Sequence, residues 1–437
     1  MSPRYASCFI HPAMTAQAQR EGALPRRGYL GFTVEARPPV QPALVEARER
    51  WIVAELAPHI TELALGDDIL ELNGHPLPSL AELRARAAAV LPGQTCSIKA
   101  RRGEQTIQAT LLAQPMPAET LEHGEVILGE VAWPWLRQLH RLRAIWTYPT
   151  QQATTGAVWL LPSAAWISQE SPLEPADPTR KLVSALTSAG LATLRVDRAS
   201  LGDSEGPTIT DLDFAAELSM GHAARDYFLK HTQGLKRGIF GRSLGGMLAP
   251  LVGDRPEFDT IAVWGTSSLN WHEASLESAA YQRRLRGQSE ASLDQALRLQ
   301  ERLARLVYVD GLRPEQARLA HPELRSVALT EFADHKVHDR VWTFFSQLQT
   351  HDLKAAWARV TAQVLAVHAE YDIIVPEVAL RRLAAIPSSA SRFCSFPGVD
   401  HFFHQRASLA EAVAEPWGGT FSLAAAQLLI DFFRHAE

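Results

Sequence analysis

Between Gly28 and about Leu112 the apolar positions come in short runs: GYLGFTVEA, WIVAEL, DDILELNG, TCSIKARRG and QTIQATLL. Each is of strand length, rich in Val, Ile, Thr or aromatic residues, and bounded by Gly, Pro or Asn-Gly, which predicts a small β-rich domain. One helix interrupts the series over Ser79–Val90, with Ser79 as N-cap, Glu82 completing a capping box and Pro92-Gly93 as the stop. Residues 1–25 show no period and predict a flexible arm, so the β-rich domain spans 26–113. The stretch AQPMPAETLEHGE is polar and punctuated by proline, which places a linker over 114–140.

The rhythm changes after about residue 141. The runs AIWTYP, GAVWLLP, LATLRVD, RGIFG, TIAVWG, AQVLAVHAE and SRFCSFPG are short and apolar, and segments of helical period separate several of them. This predicts βα units around a mostly parallel sheet over 141–437. The long gap between Thr260–Gly265 and Gln363–Val367 reads as helices, an insertion over about 268–360 at the carboxyl end of the sheet, where ligand crevices lie. Within it Ser292-Leu293-Asp294-Gln295 reads as a capping box, Leu293, Leu297, Leu303 and Val307 follow near helical spacing, and Pro314 and Pro322 suit first turns. Trp264, Trp271, Trp342, Trp357, Phe344 and Phe345 are expected to pack lid helices onto the core, with some lining an acyl pocket.

Composition narrows the class. Of the 437 residues, 46% are hydrophobic and 21% charged, which excludes disordered, collagen-like and coiled-coil chains. A net charge of −5 with no long Lys/Arg cluster gives no footprint for nucleic acid. The three cysteines, Cys8, Cys96 and Cys394, are scattered and suit a reducing compartment, and the N-terminal stretch lacks the apolar core of a secretory signal. No run of ~18 apolar residues predicts a membrane span. A cytoplasmic protein is the expectation. No metal or organic cofactor is called for: His335 and His338 have a two-ligand spacing only if helical, and no HExxH glutamate accompanies them.

Gly241-Arg242-Ser243-Leu244-Gly245-Gly246 fits G-x-S-x-G, preceded by an apolar strand and followed by a helix-compatible run. A serine on a sharp strand-to-helix turn needs strained backbone angles and glycine neighbours, and the helix N-terminus then aims N–H groups, Leu244's among them, at a developing oxyanion. The pattern alone recurs by chance in roughly one chain in ten of this length, so its surroundings must carry the assignment. A second copy, Gly202-Asp203-Ser204-Glu205-Gly206, is followed at once by Pro207, and no helix starts at its serine, so Ser204 reads as a loop residue. A serine hydroxyl needs an imidazole to accept its proton and a buried carboxylate to hold the imidazole. Asp372 in HAEYDIIVP and His401 in FPGVDHFF each follow a strand, and the order Ser243, Asp372, His401 is the nucleophile–acid–base order of such enzymes. Glu370 and Asp400 compete for the acid role and His404 for the base; Glu217, in a helical run before the serine strand, reads as helix surface.

Over 141–437 the chain resembles the α/β-hydrolase superfamily, on the branch of serine-aminopeptidase-like and dienelactone-hydrolase-like esterases. The likeness runs through GAVWLLP, TLRVDRASLGDSEGP, GRSLGGMLAP, VLAVHAEYDIIVP and PGVDHFF in the family's order. It implies Ser243 as nucleophile, Asp372 as acid and His401 as base, with a helical lid. The second oxyanion amide would come from the loop after GAVWLLP, where the family's His-Gly or Gly-rich turn is replaced by Pro162-Ser163-Ala164. Pro162 has no N–H, so Ser163 or Ala164 must donate. Residues 28–112 resemble a bacterial-type PDZ domain, with Tyr29-Leu30-Gly31-Phe32 as carboxylate-binding loop and LGDDILELNG as second signature. The resemblance implies a C-terminal peptide ligand, added as a strand between Phe32-Thr33-Val34 and the helix carrying Leu83 and Ala87. The expected function is hydrolysis of an ester, thioester or related acyl bond of a small-molecule substrate. A serine peptidase or aminopeptidase, an acyltransferase or cyclase, and a non-catalytic PDZ-tethered protein are the alternatives.

Overall fold

The computed structural model describes residues 24–37, 50–78, 82–83, 86–87, 89–165, 167–327, 336–337, 340–386 and 391–435. The expected arm up to Ala23, the N-cap Ser79, and His335 and His338 lie outside the described residues. The chain divides into two units, Leu24–Ala118 and a larger one over Glu119–Glu437.

The smaller unit is built from β1 (Gly28–Tyr29), β2 (Phe32–Arg37), β3 (Arg50–Leu56), β4 (Asp68–Leu72), β5 (His75–Pro76), β6 (Thr95–Arg102), β7 (Gln105–Leu112) and β8 (Gln114–Pro115). Its main sheet runs β2-β3-β4-β6-β7, antiparallel throughout, with β5 on β4 and a separate β1–β8 pair. Alternation decides which face is buried: in β6, Cys96, Ile98 and Ala100 turn inward while Thr95 and Ser97 face water. They pack with Trp51, Val53, Ile69, Leu72 and Leu111, and the indole of Trp51 donates to the Leu77 carbonyl at 2.7 Å. Of the helix expected over 79–90, Glu82, Leu83, Arg86 and Ala87 are described as helical, with Glu82 and Arg86 paired at 2.7 Å.

The larger unit centres on eight strands. β9 (Gly124–Trp135) and β10 (Gln138–Pro149) form a long hairpin, followed by β11 (Gly156–Leu161), β12 (Leu191–Val196), β13 (Lys236–Arg242) and β14 (Thr260–Trp264). After the short strands β15 (Lys336–Val337) and β16 (Arg340–Val341) come β17 (Gln363–Ala369) and β18 (Ser391–Phe396). The order is β18-β17-β14-β13-β11-β12-β10-β9, parallel from β18 to β12 and antiparallel at the β10 and β9 edge. Within the stretch expected as a linker, GEVILGEVAWPW is thus a sheet strand: it puts Leu128 opposite Ile145 and Val131 opposite Leu142 in register.

Helices α1 (Pro178–Ser188), α2 (Phe214–His231) and α3 (Leu244–Val252) connect the central strands. The insertion between β14 and β17 contains α4 (Trp271–Leu285), α5 (Glu290–Ala304), one π turn at Arg305–Val309, α6 (Pro314–Ala320), α7 (Trp342–Gln349) and α8 (Leu353–Arg359); α9 (Glu377–Ala384), α10 (Leu409–Ala414) and α11 (Leu423–His435) follow. Helix α5 starts one turn earlier than expected, because Ser289, not Ser292, is the N-cap, its hydroxyl accepting from the Ser292 N–H. Pro314 opens α6 as its spacing predicts.

Central strands such as GAVWLL and LATLRV are buried at every position, as strands covered on both faces must be. One core packs Trp146, Trp159, Phe228 and Leu248 on the α2–α3 face; the other packs Leu182, Leu186, Leu429 and Phe433 on the α1–α11 face. The order of strand addition reverses at β11: the next strand, β12, lies on one side and β13 on the other. A crevice opens at the carboxyl ends of strands where such a reversal occurs. Trp264 stacks on Phe403 at 4.1 Å inside the core, and Trp271 of α4 stacks on Phe345 of α7 at 4.4 Å. Trp146 is fully buried and stacks on Phe228 and Tyr148. Trp146→Ala is therefore expected to destabilise the larger unit by ~3–5 kcal/mol, read as a fall in the urea midpoint at unchanged m.

Candidate active site

Ser243 stands between β13 and α3 with φ 54° and ψ −123°, a conformation that L residues rarely adopt. Three backbone contacts hold it: its N–H donates to Trp264 O at 3.0 Å, and its carbonyl accepts from Gly246 N–H at 2.9 Å and from the Thr266 hydroxyl at 2.8 Å. The glycines of the motif permit the turn. A Cβ on Gly241 would lie 2.6 Å from the Gly245 carbonyl oxygen, and one on Gly246 would lie 2.6 Å from the Thr266 Cβ. Leu244 is the first residue of α3, so its N–H is among those a helix leaves without an internal partner. Arg242 carries its guanidinium 5.5 Å from the Phe402 ring centroid, and burial pulls its pKa below the ordinary value.

Asp372 follows β17 and is fully buried. Its Oδ1 accepts the N–H groups of Ile374 and Val375, both at 2.8 Å, and its Oδ2 lies 2.8 Å from His401 Nδ1. Engaging Nδ1 leaves Nε2 as the ring nitrogen able to accept a proton. Gly265 ties this pair to Ser243. It directly follows Trp264, the acceptor of the Ser243 N–H, and a Cβ on it would lie 2.6 Å from both Asp372 Oδ2 and His401 Nδ1. The structure thus brings Ser243, Asp372 and His401 to one carboxyl edge.

Helix α4 is fastened to the loop that carries Asp372. From α4, the Tyr281 hydroxyl donates to the Asp372 carbonyl and the Ser278 hydroxyl to the Ile374 carbonyl, each at 2.7 Å. Burial, with the Asp372 charge beside it, pushes the Tyr281 phenol up to about 12. Glu277 of the same helix pairs with Arg382 of α9 at 2.8 Å.

The rival residues have other occupations. Asp400 accepts from the N–H groups of Phe402 and His404 and from Arg406 Nε at 2.7 Å, so its carboxylate organises the turn that presents His401. Burial opposes its ionisation, but hydrogen bonds from His404, Arg406 and Phe402 outweigh it and lower its pKa. The His404 side chain faces Asp400 at 3.5 Å, and Glu370 accepts the Gly398 N–H at 2.8 Å. Ser204 is buried, accepting from Arg143 N–H at 2.8 Å and donating to the Asp197 carbonyl at 3.1 Å.

On the loop after β11, Ser163 is half-buried and Ala164 exposed, and a Cβ on Gly245 would lie 3.0 Å from the Pro162 carbonyl oxygen. Glu217 is not helix surface. It is 3% exposed and pairs with Arg198 at 2.6 Å and Arg340 at 3.4 Å. Its neighbours about a turn away, Phe214, Met220 and Gly221, are buried with it, and that spacing was the local sign of burial. In the smaller unit, Tyr29, Leu30 and Phe32 are half-buried and Gly31 has φ 82°; the Gly31 carbonyl accepts Ala57 N–H at 2.7 Å. Strand β2 beside them is at the end of its sheet. Among the described residues, no cluster of three His, Cys, Asp or Glu could hold a metal ion, and no helix is long and apolar enough to cross a membrane.

No family model matches the chain, and no curated protein matches it in sequence. Among solved structures the neighbours are α/β-hydrolases. Est1E from Butyrivibrio proteoclasticus is 16% identical, with a TM-score of 0.42 over 69% of this chain and 98% of its own. A proline iminopeptidase from Mycobacterium smegmatis is 14% identical, with a TM-score of 0.42 over 70% of this chain and 98% of its own. The 2-hydroxy-6-oxo-6-phenylhexa-2,4-dienoate hydrolase of Rhodococcus sp. strain RHA1 is 19% identical, with a TM-score of 0.41 over 71% of this chain and 100% of its own.

The closeness of Gly265 to the His401–Asp372 pair makes it a sensitive reporter. Gly265 has φ 53°, and an added methyl would overlap both side chains. Gly265→Ala is expected to cost ~1–3 kcal/mol in thermal stability and to abolish the low-field Nδ1–H proton signal of His401 in NMR spectra.

Proposed function

We propose that the larger unit is a serine hydrolase that cleaves an ester, thioester or related acyl bond through Ser243, His401 and Asp372. The observation that carries the reading is the strained Ser243 turn, bonded to Trp264 while the adjacent Gly265 abuts the His401–Asp372 pair. In the proposed reaction His401 Nε2 takes the Ser243 Oγ proton as Oγ attacks the carbonyl carbon. The N–H groups of Leu244 and of Ser163 or Ala164 receive the oxyanion, and the leaving group departs with the proton from His401. Water, deprotonated by the same imidazole, then releases the acid from the acyl-enzyme and restores Ser243. Asp372 keeps the imidazole in the required tautomer and stabilises its charged form. Neither a metal nor an organic cofactor has a part in this scheme. The dispersed cysteines suit a reducing compartment, and we place the activity in the cytoplasm.

We read the smaller unit as a PDZ-like module whose Tyr29–Phe32 loop receives the carboxylate of a C-terminal peptide while the peptide backbone adds to β2. The free edge of β2 and the left-handed Gly31 support this reading.

A fluorophosphonate probe is expected to label Ser243 in the intact chain, and Ser243→Ala to remain unlabelled; modification at Ser204, or none in the wild type, would overturn the assignment. On short-chain p-nitrophenyl esters, Asp372→Asn is expected to lower kcat by about 10⁴-fold, through the wrong imidazole tautomer. Turnover of aminoacyl anilides in preference to these esters would move the reading to a peptidase.

A further inference from the structure

The loop after β11 has no glycine to shape it and opens with Pro162, yet it lies against the first turn of α3. A guanidinium holds it there. Arg198, on the segment after β12, donates Nη2 to Ser163 O at 2.6 Å and to Pro162 O at 3.4 Å, and Nη1 to Ala165 O at 3.0 Å. Its Nε donates to Glu217 Oε1 at 2.6 Å. The other carboxylate oxygen of Glu217 faces Arg340 Nη2 at 3.4 Å, and Arg340, from β16, donates Nη1 to Ile209 O at 3.3 Å. Arg198 and Glu217 are each 3% exposed and Arg340 2%. Burial alone would raise the Glu217 pKa, but the two guanidinium charges outweigh it and keep the carboxylate ionised.

Burying three charges is a poor way to gain stability, since desolvation consumes most of the Coulombic return. What the cluster does is fix three carbonyls of one loop. In a trans peptide the C=O and the following N–H point in opposite directions. The Pro162 carbonyl oxygen lies 3.0 Å from where a Gly245 Cβ would stand, so the loop's first peptide sits against the first turn of α3. The Ser163 carbonyl is drawn onto Arg198, so the Ala164 N–H points away from the guanidinium. Among the described residues neither amide has a hydrogen-bond partner.

We propose that Arg198, clamped by Glu217, is a positioning residue that sets the Ser163–Ala164 peptide so that the Ala164 N–H is the second oxyanion donor beside Leu244. It supplies from the side the rigidity that a Gly-rich turn would have built into the loop, and rests on the acyl-transfer reading above. A lysine cannot replace it, because one ammonium cannot span the three carbonyls and Glu217 in the planar fork that guanidinium provides.

The test uses the full chain with Arg198→Ala and Arg198→Lys, assayed on a p-nitrophenyl ester. Both variants are expected to lose about 10²-fold in kcat while KM changes less than about threefold, as for a mispositioned oxyanion donor. Affinity for a trifluoromethyl ketone, which forms a tetrahedral adduct, should fall by a similar factor, whereas affinity for the product acid should hold. Added guanidinium ion should restore part of the Arg198→Ala activity and none of the Arg198→Lys activity. Amide exchange across 162–168 should quicken in both variants, a readout independent of turnover. Unchanged kcat in a folded variant, or a joint loss of kcat, product-acid affinity and melting temperature without guanidinium rescue, would overturn the proposal. Failure of the underlying reading looks different: the wild-type chain would then take no fluorophosphonate at Ser243 and turn over no ester.

Discussion

Holding a non-glycine residue at the backbone angles of Ser243 costs a fold on the order of 1–3 kcal/mol, and the neighbouring chain is arranged so that this conformation persists. Both the amide and the carbonyl of the serine are occupied, by Trp264 on one side and by Thr266 and Gly246 on the other. Those partners exist because β13 and β14 pair in register up to Arg242 and Trp264, which brings the two loops out of the sheet side by side. The tight glycine packing follows from the same requirement. Helix α3 must start close enough to β11 for the Gly245 α-carbon to approach Pro162, and any side chain there would separate them.

Each loop at this edge is organised by its own buried charge, with backbone groups as the main ligands. Asp372 gathers the amides of Ile374 and Val375, Asp400 those of Phe402 and His404, and Arg198 the carbonyls of Pro162, Ser163 and Ala165 after β11. A charged group that accepts or donates several backbone hydrogen bonds offsets its own desolvation and removes conformational freedom from the loop. The edge therefore achieves rigidity with irregular backbone, where neither helix nor sheet bonding is available.

The serine turn, the loops that carry Asp372 and His401 and the strand–helix rhythm were legible because each is written locally. GRSLGG carries its glycines beside the serine, and the buried strands are continuous apolar runs. What escaped depends on distance. Glu217 was read as surface because its partners, Arg198 and Arg340, lie 19 and 123 positions away, and nothing local marks a glutamate as paired. The β9 strand was hidden in a polar stretch because an edge strand with one wet face dilutes its apolar signal, and only its pairing with β10 gives it a buried side. The capping residue of α5 was misplaced because Ser292 has the Gln295 of a capping box three residues on, whereas Ser289, the actual cap, has only Ser292 there.

The three ties from α4 to the sheet edge, through Tyr281, Ser278 and Glu277, have a mechanical consequence. A helix held at three points, to the loop carrying Asp372 and to α9, cannot shift without pulling on Asp372. A strain applied at α4 therefore reaches the very residue whose carboxylate holds the His401 ring.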